Sequence, residues 1–137
     1  MENIAGKKSE RSKKKTAVIL IRNEVVSCVL AQALRGIGYE MRHDMESCIE
    51  ADFAMIDPYF SELGILNQLC LVHPRLPVVL ITHSGYKVSG NGKFFYDIVE
   101  LDGRSAIETD EKIAQWFSEG QGKYLIQKGG SWNSCRT

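Results

Sequence analysis

The sequence predicts an α/β fold, a doubly wound sheet of five parallel strands in the order 2-1-3-4-5 with helices on both faces. Three observations predict it. Continuous apolar runs, Ala17-Val18-Ile19-Leu20-Ile21 above all, have the character of strands covered on both faces in a parallel sheet. Segments with apolar residues at helical spacing alternate with these runs through short connections, and right-handed crossovers leave few other topologies. Polar and charged residues stand just beyond the first, third, fourth and fifth runs, on the rim where such sheets gather ligands.

The elements follow in order. After the first strand, Val25, Val26, Val29, Leu30, Ala33, Leu34 and Ile37 recur at helical spacing, and Gly36 and Gly38 end the helix. Tyr39 to Arg42 is a short second strand, and Asp44 to Glu50 has room for a turn or two of helix. Phe53 to Ile56 is the third strand. Leu63, Ile65, Leu66, Leu69, Cys70 and Val72 form a second helical stripe that Pro74 stops. Pro77 opens the fourth strand, which runs to Thr82, at a position where no ladder donor is lost.

Residues 84 to 95 hold Gly85, Gly90, Asn91 and Gly92 and read as a loop or a broken helix, so the second and fourth helices of the fold are short. Tyr96 to Val99 is the fifth strand. Ser105 and Glu108 have capping-box spacing for a last helix with Ile107, Ile113, Trp116 and Phe117 on its buried face, while Thr109 is a competing start.

At 137 residues, with 44% hydrophobic and 25% charged, the chain has the size and composition of one domain with tails. Residues 1–15 read as a disordered basic tail, residues 16–118 as the folded domain, and residues 119–137 as a C-terminal tail, docked or disordered. Seventeen Lys and Arg balance seventeen Asp and Glu, but Lys7, Lys8, Arg11, Lys13, Lys14 and Lys15 crowd the start, so the folded part is net acidic. Such a tail can touch nucleic acid electrostatically and without sequence preference. No run approaches the roughly 20 apolar residues that span a bilayer, and the start lacks a secretory apolar stretch, so the expectation is cytoplasmic.

Cys28, Cys48, Cys70 and Cys135 form no Cys-x-x-Cys pair, and His43, His73 and His83 lack ligand spacing, which argues against a zinc or catalytic histidine site. Cys28 and Cys70 fall in helical apolar patterns, where buried free thiols are expected. Gly90-Asn91-Gly92 lacks the context of a phosphate-binding loop despite Lys93.

The candidate site is the rim. Asp57 closes the run Phe53-Ala54-Met55-Ile56, and the other strand ends bring Arg22 and Asn23, Thr82 and His83, and Glu100. Over residues 16–118 these motifs resemble the receiver domain of bacterial two-component response regulators, a flavodoxin-like fold. Val18-Ile19-Leu20-Ile21-Arg22-Asn23-Glu24 matches the family's first strand and acidic pair, with Arg22 and Asn23 in the aspartate positions. Asp52-Phe53-Ala54-Met55-Ile56-Asp57 matches the strand that carries the phosphoacceptor, and Leu76-Pro77-Val78-Val79-Leu80-Ile81-Thr82 matches the fourth strand with its switch hydroxyl. Tyr96-Asp97-Ile98-Val99-Glu100-Leu101 fits the fifth, with Glu100 where the family has lysine.

The resemblance implies Asp57 as the phosphoacceptor position, and the departures imply a degenerate pocket. Magnesium prefers carboxylate and water oxygens, and Arg22 puts a cation there. Glu100 adds like charge beside a phosphoaspartate, and His83 stands where a small residue gives access. The expectation is a receiver-like regulatory and protein-interaction module, not an enzyme, with no cofactor, in which Arg22 pairs with Asp57, Glu100 or both. One alternative is an atypical receiver phosphorylated on Asp57 with weak magnesium binding. A second is a small enzyme or nucleotide-binding protein using the same crevice. Expected partners are signalling proteins, such as a histidine kinase or an output domain, or a second copy of the chain. Tyr86, Phe94, Phe95 and Tyr96 are anchors for a partner if exposed and core residues if buried.

Overall fold

The computed structural model describes residues 15–61, 64, 68, 69, 71, 73–83, 85–87, 95–102 and 105–128. Five parallel strands, β1 (Lys15–Leu20), β2 (Tyr39–Arg42), β3 (Phe53–Ile56), β4 (Val78–Thr82) and β5 (Asp97–Glu100), form one sheet in the order β2-β1-β3-β4-β5. Parallel pairing aligns Ala17 with Phe53, Ala54 with Val78 and Thr82 with Glu100. Every residue of β3 and β4 is buried, the pattern their continuous apolar runs predict for central strands.

Helix α1 (Glu24–Gly36) starts at Asn23, whose side chain accepts the Val26 N–H at 3.1 Å, and the turn after it places Gly38 at φ 97°, where a side chain would be strained. A 3₁₀ turn, Met45–Ile49, is capped by Asp44. The four-residue helix α2 (Pro58–Ser61) follows β3 directly. Ser105 caps α3 (Ala106–Glu119) through the Glu108 N–H, which decides against the Thr109 start. Helix α4 (Gln121–Lys128) lies within residues 119–137, which the sequence leaves open between docked and disordered; Leu125 is buried in the core.

The sheet divides the core in two. On one face Ile19, Leu30, Leu34, Phe53, Met55 and Ile113 pack with Trp116; on the other Leu20, Ile56, Leu69, Leu76 and Leu80 pack with Phe95. Each fully buried large side chain of this kind contributes roughly 1.5–3 kcal/mol of transfer free energy. Four expectations about burial need correction, the first being Val25, which is 38% exposed in the first turn of α1. Ile107 is exposed because Thr109, Ile113 and Trp116 form the buried face of α3, and Ile107 lies off that stripe. Ile37 is exposed because it caps α1 instead of continuing it. Cys28 is exposed, whereas Cys48, in the 3₁₀ turn, is fully buried with its thiol pushed up to about 11, by burial first and then by Asp44.

Leu63, Ile65, Leu66, Cys70, Val72 and Phe94, together with residues 1–14, 88–93 and 129–137, lie outside the described residues. Among the described residues no helix is long and apolar enough to cross a membrane.

Tyr39 shows one cost of the packing. Its ring is buried against Phe53 at 5.2 Å, its hydroxyl has no hydrogen-bond partner, and burial followed by Asp52 raises its pKa to about 12. Tyr39→Phe removes an unpartnered buried hydroxyl and keeps the ring, so we expect stability unchanged or raised by up to about 1 kcal/mol. A urea titration checks this; a clear loss of stability would reveal a partner for the hydroxyl.

Candidate functional site

The site grows from the end of β3. The ladder runs one step past the strand, the Asp57 N–H donating to the Leu20 carbonyl at 3.2 Å, and this holds the Asp57 side chain at the rim. Asp57 is 9% exposed, and both carboxylate oxygens accept backbone N–H groups. Oδ2 takes the Arg22 N–H at 2.8 Å and Oδ1 the Phe60 N–H at 3.1 Å. The second bond is an N-cap: Asp57 precedes α2, Pro58 is the first helical residue, and the third N–H reaches back to the carboxylate. The first bond ties β3 to the loop after β1 across 35 residues of chain. Asp57 is therefore a clamp between two backbone segments.

Arg22 does reach Asp57, but through its backbone. Its guanidinium is not within 4.0 Å of any carboxylate among the described residues; it lies over the Tyr59 ring, 4.3 Å from the centroid, on the exposed side of the rim. The expected Arg22 pairing with Asp57 or Glu100 is replaced by a cation–π stack, because the helix that Asp57 caps carries Tyr59 to the guanidinium. Tyr59 in turn meets Phe60 edge-to-face at 5.2 Å.

A crevice of about 120 Å³ lies beside Asp57, lined among others by Asn23, Val26, Ile81, Thr82, Leu101 and Asp102. Asn23 has its oxygen committed to the cap of α1. Thr82 is buried at the end of β4 and lines the crevice, as does the exposed His83, whose ring is 5.7 Å from that of Tyr86. Glu100 is exposed and does not line it. Alternation along β5 turns Val99 and Leu101 toward the core and Ile98 and Glu100 outward, and the chain continues from Leu101, bonded to the Thr82 carbonyl at 2.7 Å, to Asp102 at the crevice. Glu100 thus stands outside the lining of the crevice.

Of the candidate partner aromatics, Phe94 lies outside the described residues, and Tyr86 adjoins His83 of the rim. Phe95 is 6% exposed and belongs to the core; Tyr86 packs partly buried against the same cluster. Tyr96, partly buried, donates its hydroxyl to the Gln121 carbonyl of α4 at 3.0 Å, and its pKa is raised by burial, Asp97 and Tyr124. Phe95 is therefore a packing residue and no surface anchor.

The residues that reading the sequence missed are Tyr59 and Asp102. The signal for Tyr59 was present: Asp57-Pro58 followed by an aromatic pair is an N-cap with proline at the first helical position, and it places residue 59 beside the rim.

No protein-family profile matches the chain, and no curated protein matches it. Solved structures do. NtrX from Brucella abortus, solved in complex with ADP, superposes with a TM-score of 0.53 at 21% identity, over 84% of this chain and 28% of NtrX. The response regulator TrrA from Thermotoga maritima, solved in complex with Mg(2+)-BeF, gives 0.53 at 18% identity over 74% of this chain and 97% of TrrA. This chain has the response-regulator receiver fold. A part of the Francisella novicida lysine decarboxylase LdcF also superposes, with a TM-score of 0.50 at 11% identity over 78% of this chain and 18% of LdcF. A receiver fold is thus a frame that hosts different functions, and the function is read from the site.

The magnesium that the receiver fold implies does not fit this donor set. A hard cation needs several oxygen ligands. Both Asp57 oxygens hold backbone N–H groups, the Asn23 oxygen caps a helix, and Arg22 supplies a positive charge. Among the described residues no group of three or more His, Cys, Asp or Glu is placed to hold a metal ion.

Proposed function

We propose that this receiver-fold domain is a degenerate signalling module that works by binding a protein partner, with Asp57 as a structural clamp in place of a phosphoacceptor. The observation that carries it is the double engagement of the Asp57 carboxylate by the Arg22 and Phe60 amides. Attack on a phosphoryl donor needs a free carboxylate oxygen and cations positioned to neutralise spreading charge. Here each carboxylate oxygen has one of its lone-pair sites taken by a backbone N–H, so turning an oxygen toward a phosphoryl donor strains the two segments it holds. The guanidinium of Arg22 lies over the Tyr59 ring.

Supporting features are the 120 Å³ crevice, far below the several hundred cubic ångströms of a typical small-molecule site, which speaks against an enzyme or nucleotide pocket. We place the module in the cytoplasm, with residues 16–118 as the receiver-like unit and a signalling protein, a histidine kinase or an output domain, as its partner class. Residues 1–15 would add a weak, salt-sensitive contact with nucleic acid.

Incubation of the intact chain with acetyl phosphate and magnesium, followed by mass spectrometry, is expected to leave the mass unchanged. Beryllofluoride with magnesium is expected to leave the Thr82 and β5 amide resonances in place. A phosphoryl mass increment on Asp57, lost in Asp57→Asn, supports instead an atypical phosphorylatable receiver.

A further inference from the structure

We infer that residues 1–14 dock back onto their own domain, with lysines seated in an acidic cleft beside β2. The cleft, about 420 Å³, shares no lining residue with the crevice at Asp57. Its walls are Thr16 of β1, Glu40 of the edge strand β2, and Asp44, Glu46, Ile49 and Glu50 in and around the 3₁₀ turn. Parallel pairing sets Thr16 beside Glu40. The position of Thr16 is fixed, because it donates its N–H to Asp52 Oδ2 and accepts the Asp52 N–H, both at 2.7 Å. Only Lys15 separates residues 1–14 from this wall, so chain connectivity delivers them beside the cleft.

Charge and tethering select the occupant. Four carboxylates line the cleft against one cation, Arg42, which is engaged by Glu40 at 3.6 Å and by Ser47 at 3.4 Å. Asp44 is committed to capping the 3₁₀ turn. Glu46 and Glu50 are exposed, and among the described residues no cation lies within 4.0 Å of either carboxylate. Residues 1–14 carry Lys7, Lys8, Arg11, Lys13 and Lys14 against Glu2 and Glu10, whereas residues 16–137 hold 11 Lys and Arg against 15 Asp and Glu. Segment and cleft are therefore opposite in sign, and all five cations lie within roughly 30 Å of contour from Thr16. Such a tether gives a local concentration on the order of millimolar, so contacts too weak to hold a free peptide still fill the cleft. Other occupants fit less well. Among the described residues no three His, Cys, Asp or Glu are placed to hold a metal ion, and Ile49 is the one apolar side chain in a lining that a small apolar ligand would need to be mainly apolar. Lysines seated here are withheld from nucleic acid, which competes with the cleft for the same segment.

The test is carbodiimide cross-linking of the intact chain at low ionic strength, followed by mass spectrometry. Cross-links are expected from Lys7, Lys8, Lys13 or Lys14 to Glu46 and Glu50, at least about fivefold more abundant than to Glu108, Asp110 and Glu111, which are equally exposed acids on α3. They should fade in 1 M salt, where the screening length falls to about 3 Å. A second measurement follows the rate at which acetic anhydride labels Lys13 and Lys14. Glu46→Gln combined with Glu50→Gln, both at exposed positions, should raise that rate about threefold, whereas Glu108→Gln combined with Glu111→Gln, with the same change in net charge, should leave it unchanged. Cross-links spread evenly over the acids of α3, or equal labelling rates in the two double variants, overturn the proposal. Cross-links that form only between isotopically light and heavy copies in a mixture overturn it in favour of a second copy of the chain.

Discussion

Asp57→Ala is expected to destabilise the domain by roughly 2–4 kcal/mol, the loss of two hydrogen bonds to a charged acceptor. The Arg22 and Phe60 amides lose their acceptor at a position only 9% exposed. The loss should appear as a lower urea midpoint at unchanged slope, because the surface exposed on unfolding stays the same. Asp57→Asn keeps one carbonyl oxygen and should cost about half as much. Hydrogen exchange should quicken first at Arg22 and in α2, the two segments the carboxylate holds. The direction of the change is diagnostic. An aspartate crowded among other acids in a metal pocket destabilises the fold by repulsion, and its removal raises stability. A higher midpoint for Asp57→Ala would therefore contradict the clamp and point back to a phosphoacceptor.

Trp116→Ala is expected to cost about 3–5 kcal/mol, the range for truncating a large buried aromatic. Trp116 is 8% exposed, donates its indole N–H to Asp97 Oδ2 at 2.6 Å and meets Phe117 at 4.9 Å. It is also the floor on which α4 rests: a Cβ at Gly122 would fall 2.5 Å from its ring, so the helix approaches as closely as only glycine allows. Truncation opens a cavity under α4 and leaves the Asp97 carboxylate without its indole donor. Residues 121–128 should lose exchange protection well below the denaturant concentration that unfolds the sheet, and Gly122→Ala should reproduce part of this by overpacking, at about 1–3 kcal/mol. Protection in α4 surviving Trp116→Ala would show that Leu125 alone docks the helix.

The comparison of sequence with structure divides along a physical line. The strands were legible because a parallel sheet buried on both faces demands continuous apolar runs, and these stand out at Ala17–Ile21 and Val78–Ile81. The cap at Ser105 was local, closing a bond to a residue three positions ahead, so type and spacing sufficed, whereas Asn23 was read only as a rim residue and its cap came from the structure. The alternation of segments then left one strand order to expect, and the sheet has it.

Burial of helix faces was read less well, because a stripe of apolar residues does not say where the partner surface ends. Ile107 and Val25 are apolar yet exposed, each in the first turn of its helix.

Which residues form the rim, then, was determined by chain order and apolar pattern alone: strand ends must converge, and Asp57, Asn23 and Thr82 do converge on one crevice. What each rim side chain does was decided only by tertiary structure. Glu100 faces outward by the phase of β5, Arg22 turns onto a ring carried by α2, and Asp57 spends its oxygens on amides, one of them 35 residues away. Periodicity encodes which face of an element is buried, but a rim side chain takes its direction from neighbours that only the crossovers bring within reach.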